Sequence, residues 1–167
     1  MSPLPRPLHI SVCGSSVSDA EIDAHAAEVG RLLGESGATL VCGGRDGIMA
    51  AAAEAARTAG GEVIGILMSD DPADANEHCT HVVATGIGQA RNLAVAASGD
   101  AVIAIGGEWG TLSEIAFARR LGREVVALDS WRLIGRAAMA EAPGIQPAET
   151  PAEAVRMALA AAERRRG

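Results

Sequence analysis

The sequence predicts one doubly wound α/β domain, a mainly parallel sheet with helices on both faces. Three observations carry this prediction. Short apolar runs alternate with helical segments of about 10–17 residues, the pattern of βαβ units. The runs "TLVC", "AVIAI" and "EVVAL" show little in/out alternation, as strands buried on both faces should. Glycines close most helices and open most strand-to-helix turns.

The elements follow in order. Leu8 to Cys13 reads as a strand, and Ser18-Asp19-Ala20-Glu21 has the spacing of a capping box opening a helix from Asp19 to Glu35. Ser36-Gly37 ends that helix, and Ala38 to Cys42 is the second strand. An Ala-rich helix from Ile48 to Ala59 stops at Gly60-Gly61, and Glu62 to Leu67 is the third strand. The polar stretch Ser69 to Glu77 precedes a strand from His81 to Thr85 and a helix from Gln89 to Ser98. Ala101 to Ile105 is strand and Leu112 to Leu121 helix, opened by Thr111-Leu112-Ser113-Glu114 and closed by Gly122; Glu124 to Leu128 is strand. No element is predicted between residues 129 and 150. Thr150 as cap, Pro151 at the first helical position and Glu153 at the third open the last helix, Pro151 to Arg165.

Length and composition bound the function. A chain of 167 residues, 49% hydrophobic, is the size of one ordinary domain, here 8–167 behind an expected disordered leader, 1–7. That leader has no apolar core, so no signal peptide is read, and no apolar run approaches the ~20 residues that cross a bilayer. The expectation is a soluble, cytoplasmic protein without membrane partners. A net charge of −7, one Phe, two Trp and no Tyr argue against nucleic acid, which needs basic neutralisation and stacking surfaces. The basic run Arg164-Arg165-Arg166 suits a helix C-terminus.

All fourteen basic residues are Arg. Without lysine there is no Schiff base, no pyridoxal phosphate attachment and no Walker-type phosphate lysine. Cys13, Cys42 and Cys79 form no C-x-x-C pair, as in a reducing compartment. His78-Cys79-Thr80-His81 holds three potential ligands but lacks a second cluster, so no metal site is expected.

In such sheets ligands collect at the carboxyl ends of the strands. Three glycine-rich turns fall there: Cys13-Gly14-Ser15-Ser16, Cys42-Gly43-Gly44-Arg45-Asp46-Gly47, and Gly106-Gly107-Glu108-Trp109-Gly110-Thr111. Glycines let the backbone approach a ligand closely, and the amides of the following helix meet an anion. A dinucleotide fits poorly, since the first turn is not G-x-G-x-x-G and no acid ends the second strand. Arg91, in the first turn of a helix, opposes the helix dipole but suits a bidentate grip on phosphate or carboxylate. Glu114 has two readings, a helix cap paired with Thr111 or a catalytic acid. Glu108 is a carboxylate inside an anion-holding loop, at odds with that role.

The segments "VCGSS", "GGRDGIMAAAAEAARTAGGEVIGIL", "GIGQARNLAVAASGDAVIAIGGEWGTLSEI" and "LGREVVAL" resemble the LOG-type, "lysine decarboxylase-like" Rossmann superfamily over Ile10 to Leu128. The T-G-x-G-x-A-R-N pattern at Thr85 to Asn92 is similar to the molybdenum cofactor carrier branch. That resemblance implies a Rossmann-like fold, homodimers or larger assemblies through the helices after strands four and five, and a phosphorylated pterin or nucleotide as ligand, molybdenum cofactor among them. Gly14, Ser15, Ser16, Gly43, Gly44, Arg45, Asn92, Gly106, Gly107, Gly110 and Thr111 would then line the site, with Arg91 gripping the anion. The alternative branch comprises the cytokinin-activating nucleoside 5′-monophosphate phosphoribohydrolases, which pair an Arg with the Glu of P-G-G-x-G-T-x-x-E. It implies N-glycosidic cleavage by Arg91 and Glu114. Here Gly106 stands for the proline, Glu108 for the second glycine, Ser113 for an acid and Asn92 for a lysine.

Overall fold

The apolar runs pair edge to edge as the sequence predicts. In the computed structural model, which describes residues 6–17, 19–134 and 143–167, β1 (His9–Gly14) lies between β2 (Thr39–Cys42) and β5 (Ala101–Ile105). Outward from β2 come β3 (Val63–Leu67) and β4 (His81–Ala84); outward from β5 come β6 (Val125–Leu128) and β7 (Ile145–Ala148). Among the described residues this makes a seven-stranded sheet in the order 4-3-2-1-5-6-7 with every pair parallel. The order reverses between β1 and β5, so their carboxyl ends, Gly14 beside Ile105, mark the crevice where such folds hold ligands.

Period-two alternation divides the strand side chains between two cores. Ile10, Val12, Leu40, Cys42, Ile103 and Ile105 pack under α1 (Ala20–Glu35), α2 (Ile48–Thr58) and α5 (Pro151–Arg166). Cys13, Val102, Ala104 and Val125 face α4 (Trp109–Arg120), and Val41 and Ile66 meet Val95 of α3 (Arg91–Ser98). The alanines of α2 allow close approach: a Cβ on Gly30 of α1 would stand 2.0 Å from the Ala52 carbonyl oxygen, and one on Gly34 would stand 2.6 Å from that of Ala56.

The structure departs from the sequence reading at four places. β7 was not predicted: it has four residues and contains Pro147, a mark against a strand, tolerated because β7 is an edge. Ser18 lies outside the described residues; α1 is capped by Asp19, whose side chain accepts from the amides of Glu21 and Ile22. The helix expected from Gln89 starts as a 3-10 turn, Gly88–Ala90, and becomes α-helical at Arg91. Finally, α4 begins at Trp109, three residues before the expected Leu112, because Gly106 and Gly107 (φ 59° and 136°) complete the turn early. Glu114 therefore sits in the second turn and is no capping residue.

The ends of the chain converge on Asp100. Arg6 and Arg166 both pair with its carboxylate, at 2.8 and 2.7 Å, and the His9 amide donates to it at 2.9 Å. Arg166 also donates to the carbonyls of Arg6 and Pro7, and Arg164 reaches Glu124. Arg164 and Arg166 of the C-terminal run thus serve structural contacts. No helix among the described residues is long and apolar enough to cross a membrane.

Candidate functional site

The helix starts differ in how they are capped. α1 and α5 carry side-chain caps, Asp19 and Thr150. α2, α3 and α4 begin at Gly47, Ala90 and Glu108 with no side-chain cap. Amides in the first turn of an uncapped helix need other acceptors, and an anion is one that the helix dipole favours.

A cavity of about 380 Å³, at the small end of ordinary ligand pockets, opens among these three starts. Gly14 and Ser16 bound it from the β1 turn, Arg45, Asp46 and Met49 from the β2 turn and α2, and Met68 from the end of β3. Gln89, Arg91 and Asn92 close it from α3 and its 3-10 lead; Glu108, Gly110, Thr111 and Glu114 close it from α4.

Two buried ionisable side chains form its floor. Arg91 and Glu114 are 6% exposed each, and Nη1 of Arg91 stands 3.5 Å from Oε1 of Glu114. Burial pushes the Glu114 carboxyl up to about 7, against the pull of Arg91 and of the Cys13 thiol, which hydrogen-bonds to it. The same burial draws Arg91 downward while Glu114 supports its charge. The buried Thr111 Oγ1 and Arg91 Nε, both on residues of the cavity wall, have no hydrogen-bond partner within the chain. Buried polar groups are seldom left so without a water or ligand to meet them.

The sequence-derived site residues divide accordingly. Gly14, Ser16, Arg45, Arg91, Asn92, Gly110 and Thr111 line the cavity, with Glu114. Ser15, Gly43, Gly44, Gly106 and Gly107 do not: they shape it from behind. Gly43 makes room for the Arg91 guanidinium, and a Cβ on Gly44 would meet Leu67. The Ser15 carbonyl accepts from the Ile48 amide, and its hydroxyl accepts from the Val17 amide. A Cβ on Gly106 would approach Ile22, and one on Gly107 would press on Thr111 and Trp131. Sequence reasoning missed Met49, Met68 and Gln89. Met68 directly follows β3, and Gln89 follows two glycines with positive φ, Gly86 and Gly88; those were the available signals. Glu108, noted as anomalous, lines the cavity, and its carbonyl accepts from Trp131 Nε1 at 3.3 Å.

Asn92 and Ser113, two departures from the hydrolase pattern, touch each other. Asn92 Nδ2 donates to Ser113 Oγ at 3.0 Å, and Ser113 donates to the Gly110 carbonyl at 2.6 Å. An uncharged bridge between the starts of α3 and α4 thus stands where that pattern has a lysine and an acid. The potential metal ligands His78, Cys79 and His81 diverge: His78 turns toward Glu54, His81 pairs with Glu62 at 3.0 Å, and Cys79 turns to Cys42.

Comparison with known proteins agrees with this architecture. Residues 7–155 match the SLOG cluster4 family. An uncharacterized protein of Archaeoglobus fulgidus is 37% identical over 148 residues, covering 89% of this chain and 92% of that one. Among solved structures, the molybdenum cofactor binding protein of Rippkaea orientalis superposes with a TM-score of 0.84 at 30% identity, covering 93% of this chain and 97% of that one. The molybdenum cofactor carrier protein of Chlamydomonas reinhardtii superposes with a TM-score of 0.83 at 26% identity, over 95% and 99% of the two chains.

Proposed function

The chain belongs to the SLOG cluster4 family, and from that premise we propose that it binds a phosphorylated heterocycle, the molybdenum cofactor, as cargo. The observation that carries the reading is that two residues of the cavity wall, Thr111 and Arg91, each hold a buried polar atom without a partner in the chain, Oγ1 and Nε. A phosphate fits the deficit they leave: it accepts from a hydroxyl, a guanidinium and the free amides of an uncapped helix start at once. A pterin fits the rest of the wall, with Met49 and Met68 offering polarizable apolar surface and Asp46 and Gln89 offering hydrogen-bond partners for ring edges. The cofactor binding protein of Rippkaea orientalis, similar along nearly its whole length, supports the choice of cargo.

A second reading is favoured by Glu114. A carboxyl at about 7 beside an arginine is suited to proton transfer near neutrality. In that reading the cavity holds a nucleoside 5′-monophosphate, Arg91 grips its phosphate or departing base, and Glu114 assists N-glycosidic cleavage.

One experiment addresses both. Purified protein is mixed with molybdenum cofactor released from a donor enzyme and passed through a desalting column, and molybdenum and pterin are measured in the protein fraction. Co-elution at one equivalent, lost in Thr111→Val, is the expected result; absence of both from the protein fraction would overturn the cargo reading. In parallel, AMP and an N6-substituted AMP are incubated with the protein and free base is followed by chromatography. Base release abolished by Glu114→Gln would move the assignment to the hydrolase.

Self-association belongs to the same proposal. Leu93 on α3, Trp109 on α4 and Leu121 just past its end leave apolar surface exposed on the two helices expected to meet a second copy. Sedimentation of the wild type should give at least a dimer and Leu93→Glu a lighter species; a monomeric wild type would refute it.

A further inference from the structure

Cys42 and Cys79, far apart in the chain, are brought together beside the loop that carries Arg45. Cys42 is the last residue of β2 and is paired in register with Gly65 of β3, so its side chain and the missing side chain of Gly65 share one face of the sheet. Cys79 occupies the space that glycine leaves: a Cβ on Gly65 would stand 2.6 Å from the Cys79 sulfur and 3.5 Å from its Cβ. Both cysteines pack in the same core cluster.

The surroundings tie this sulfur pair to the site. The Gly44 amide donates to Cys42 Sγ at 3.4 Å. Cys79 Sγ stands 3.7 Å from Oδ1 of Asn76, which also accepts from the His78 amide. The Asn76 amide donates to the Gly44 carbonyl at 2.8 Å and its side chain to the Arg45 carbonyl at 2.9 Å. Asn76 thus latches the 69–80 segment onto the turn that presents Arg45 and Asp46, and the two sulfurs lie under that latch.

We propose that Cys42 and Cys79 are a reversible oxidation site, which a peroxide converts to a disulfide that fastens the 69–80 segment to the end of β2. The roles of the two sulfurs differ. Cys79 is half-buried and reachable, whereas Cys42 is fully buried. The Cys42 thiol, hydrogen-bonded to Cys79, lowers the Cys79 pKa and raises its own, so Cys79 is the thiolate that attacks. Attack on hydrogen peroxide forms a Cys79 sulfenic acid and releases hydroxide, which takes up the thiol proton as water. Cys42 sulfur then displaces the sulfenic oxygen as a second water. Two thiols and one peroxide give one disulfide and two waters. Cys13, on the opposite face of the sheet and bonded to Glu114, has no thiol neighbour among the described residues.

The test needs no ligand, so it succeeds or fails independently of the cargo reading. Protein is treated with hydrogen peroxide near neutral pH, denatured, alkylated and mapped by mass spectrometry without reduction. The expected result is a peptide bridged between Cys42 and Cys79, with Cys13 alone alkylated. The melting temperature should rise by roughly 5–10 °C, since the bridge closes a long loop, and dithiothreitol should reverse the rise. Cys79→Ser should show neither bridge nor rise; Cys42→Ser should leave Cys79 over-oxidised and unbridged. Three alkylatable thiols after peroxide would overturn the proposal, and a bridge that lowers the melting temperature would overturn the fastening.

Discussion

The guanidinium of Arg91 lies against the α-carbon of Gly43, so close that a Cβ on residue 43 would stand 2.4 Å from Nη1. Three atoms of the guanidinium crowd that one point. Gly43 is therefore glycine for the sake of a side chain, and no left-handed conformation is involved. Gly43→Ala would push Arg91 away from Glu114. The expected cost is about 1–3 kcal/mol, as for other overpacked interiors, read as a lower melting temperature together with loss of molybdenum cofactor from the protein fraction. A variant that melts and binds like the wild type would show that Arg91 has a second position of equal energy.

Thr111 makes the opposite prediction for the empty protein. Its buried hydroxyl oxygen has no partner within the chain, and Thr111→Val replaces that hydroxyl by a methyl of similar shape. Removing an unsatisfied polar group should stabilise the ligand-free fold by about 1 kcal/mol, roughly 2–4 °C for a chain of this size. The same change should cost most of the affinity for a phosphorylated ligand. A variant less stable than the wild type without ligand would show that the hydroxyl is already satisfied by water.

These two residues also show what the sequence could reveal. The parallel sheet was legible because its strands are apolar and its helices end on glycines, both local signals. β7 escaped because an edge strand needs only its neighbour β6 and tolerates Pro147. Arg91 and Thr111 were legible through glycine-rich spacing and dipole logic. The capping box at Thr111–Glu114 was a false signal: the four-residue spacing is present, but a pair of glycines upstream moves the helix start by three residues. Gly43 was read as a ligand contact because a glycine's purpose depends on what lies across from it. Here that neighbour is Arg91, nearly fifty positions away, and the relation exists only once the chain is folded.

Asp100 should set the acid limit of the fold. Burial works against its ionisation, but hydrogen bonds from Arg6, the His9 amide and Arg166 outweigh it and hold the carboxyl down at about 2. The folded value lies below the unfolded one of about 3.9, so the unfolded chain takes up a proton first as pH falls. The stability from this carboxylate is present above about pH 4 and lost as pH drops toward 2. Asp100→Asn should lower the melting temperature at neutral pH and remove part of the fall seen between those values. An unchanged acid transition would assign it to other carboxylates.

Glu114 should impose a dependence of the other sign near neutrality. Its carboxyl is raised to about 7 by burial, whereas the unfolded chain titrates it near about 4.3. Between these values the folded protein holds a proton that the unfolded chain has released. The stability that goes with neutral Glu114 is complete below the unfolded value and lost as pH rises through about 7. Glu114→Gln, uncharged throughout, should flatten the melting temperature between about pH 5 and 8. Binding should follow the same sign. While Glu114 is neutral, Arg91 meets an anion unopposed; once ionised, Glu114 cancels that charge and repels the ligand at short range. The phosphate of AMP itself gains charge across this interval, so the informative quantity is the ratio of wild-type to Glu114→Gln affinity. Tryptophan fluorescence can report it, since Trp109 and Trp131 flank Glu108 at the cavity rim with ring centroids 5.4 Å apart. That ratio should fall as pH rises past about 7. A ratio that stays constant would mean that Arg91 keeps Glu114 ionised throughout, and the pair would then be a permanent ion pair that holds the floor of the cavity without gating it.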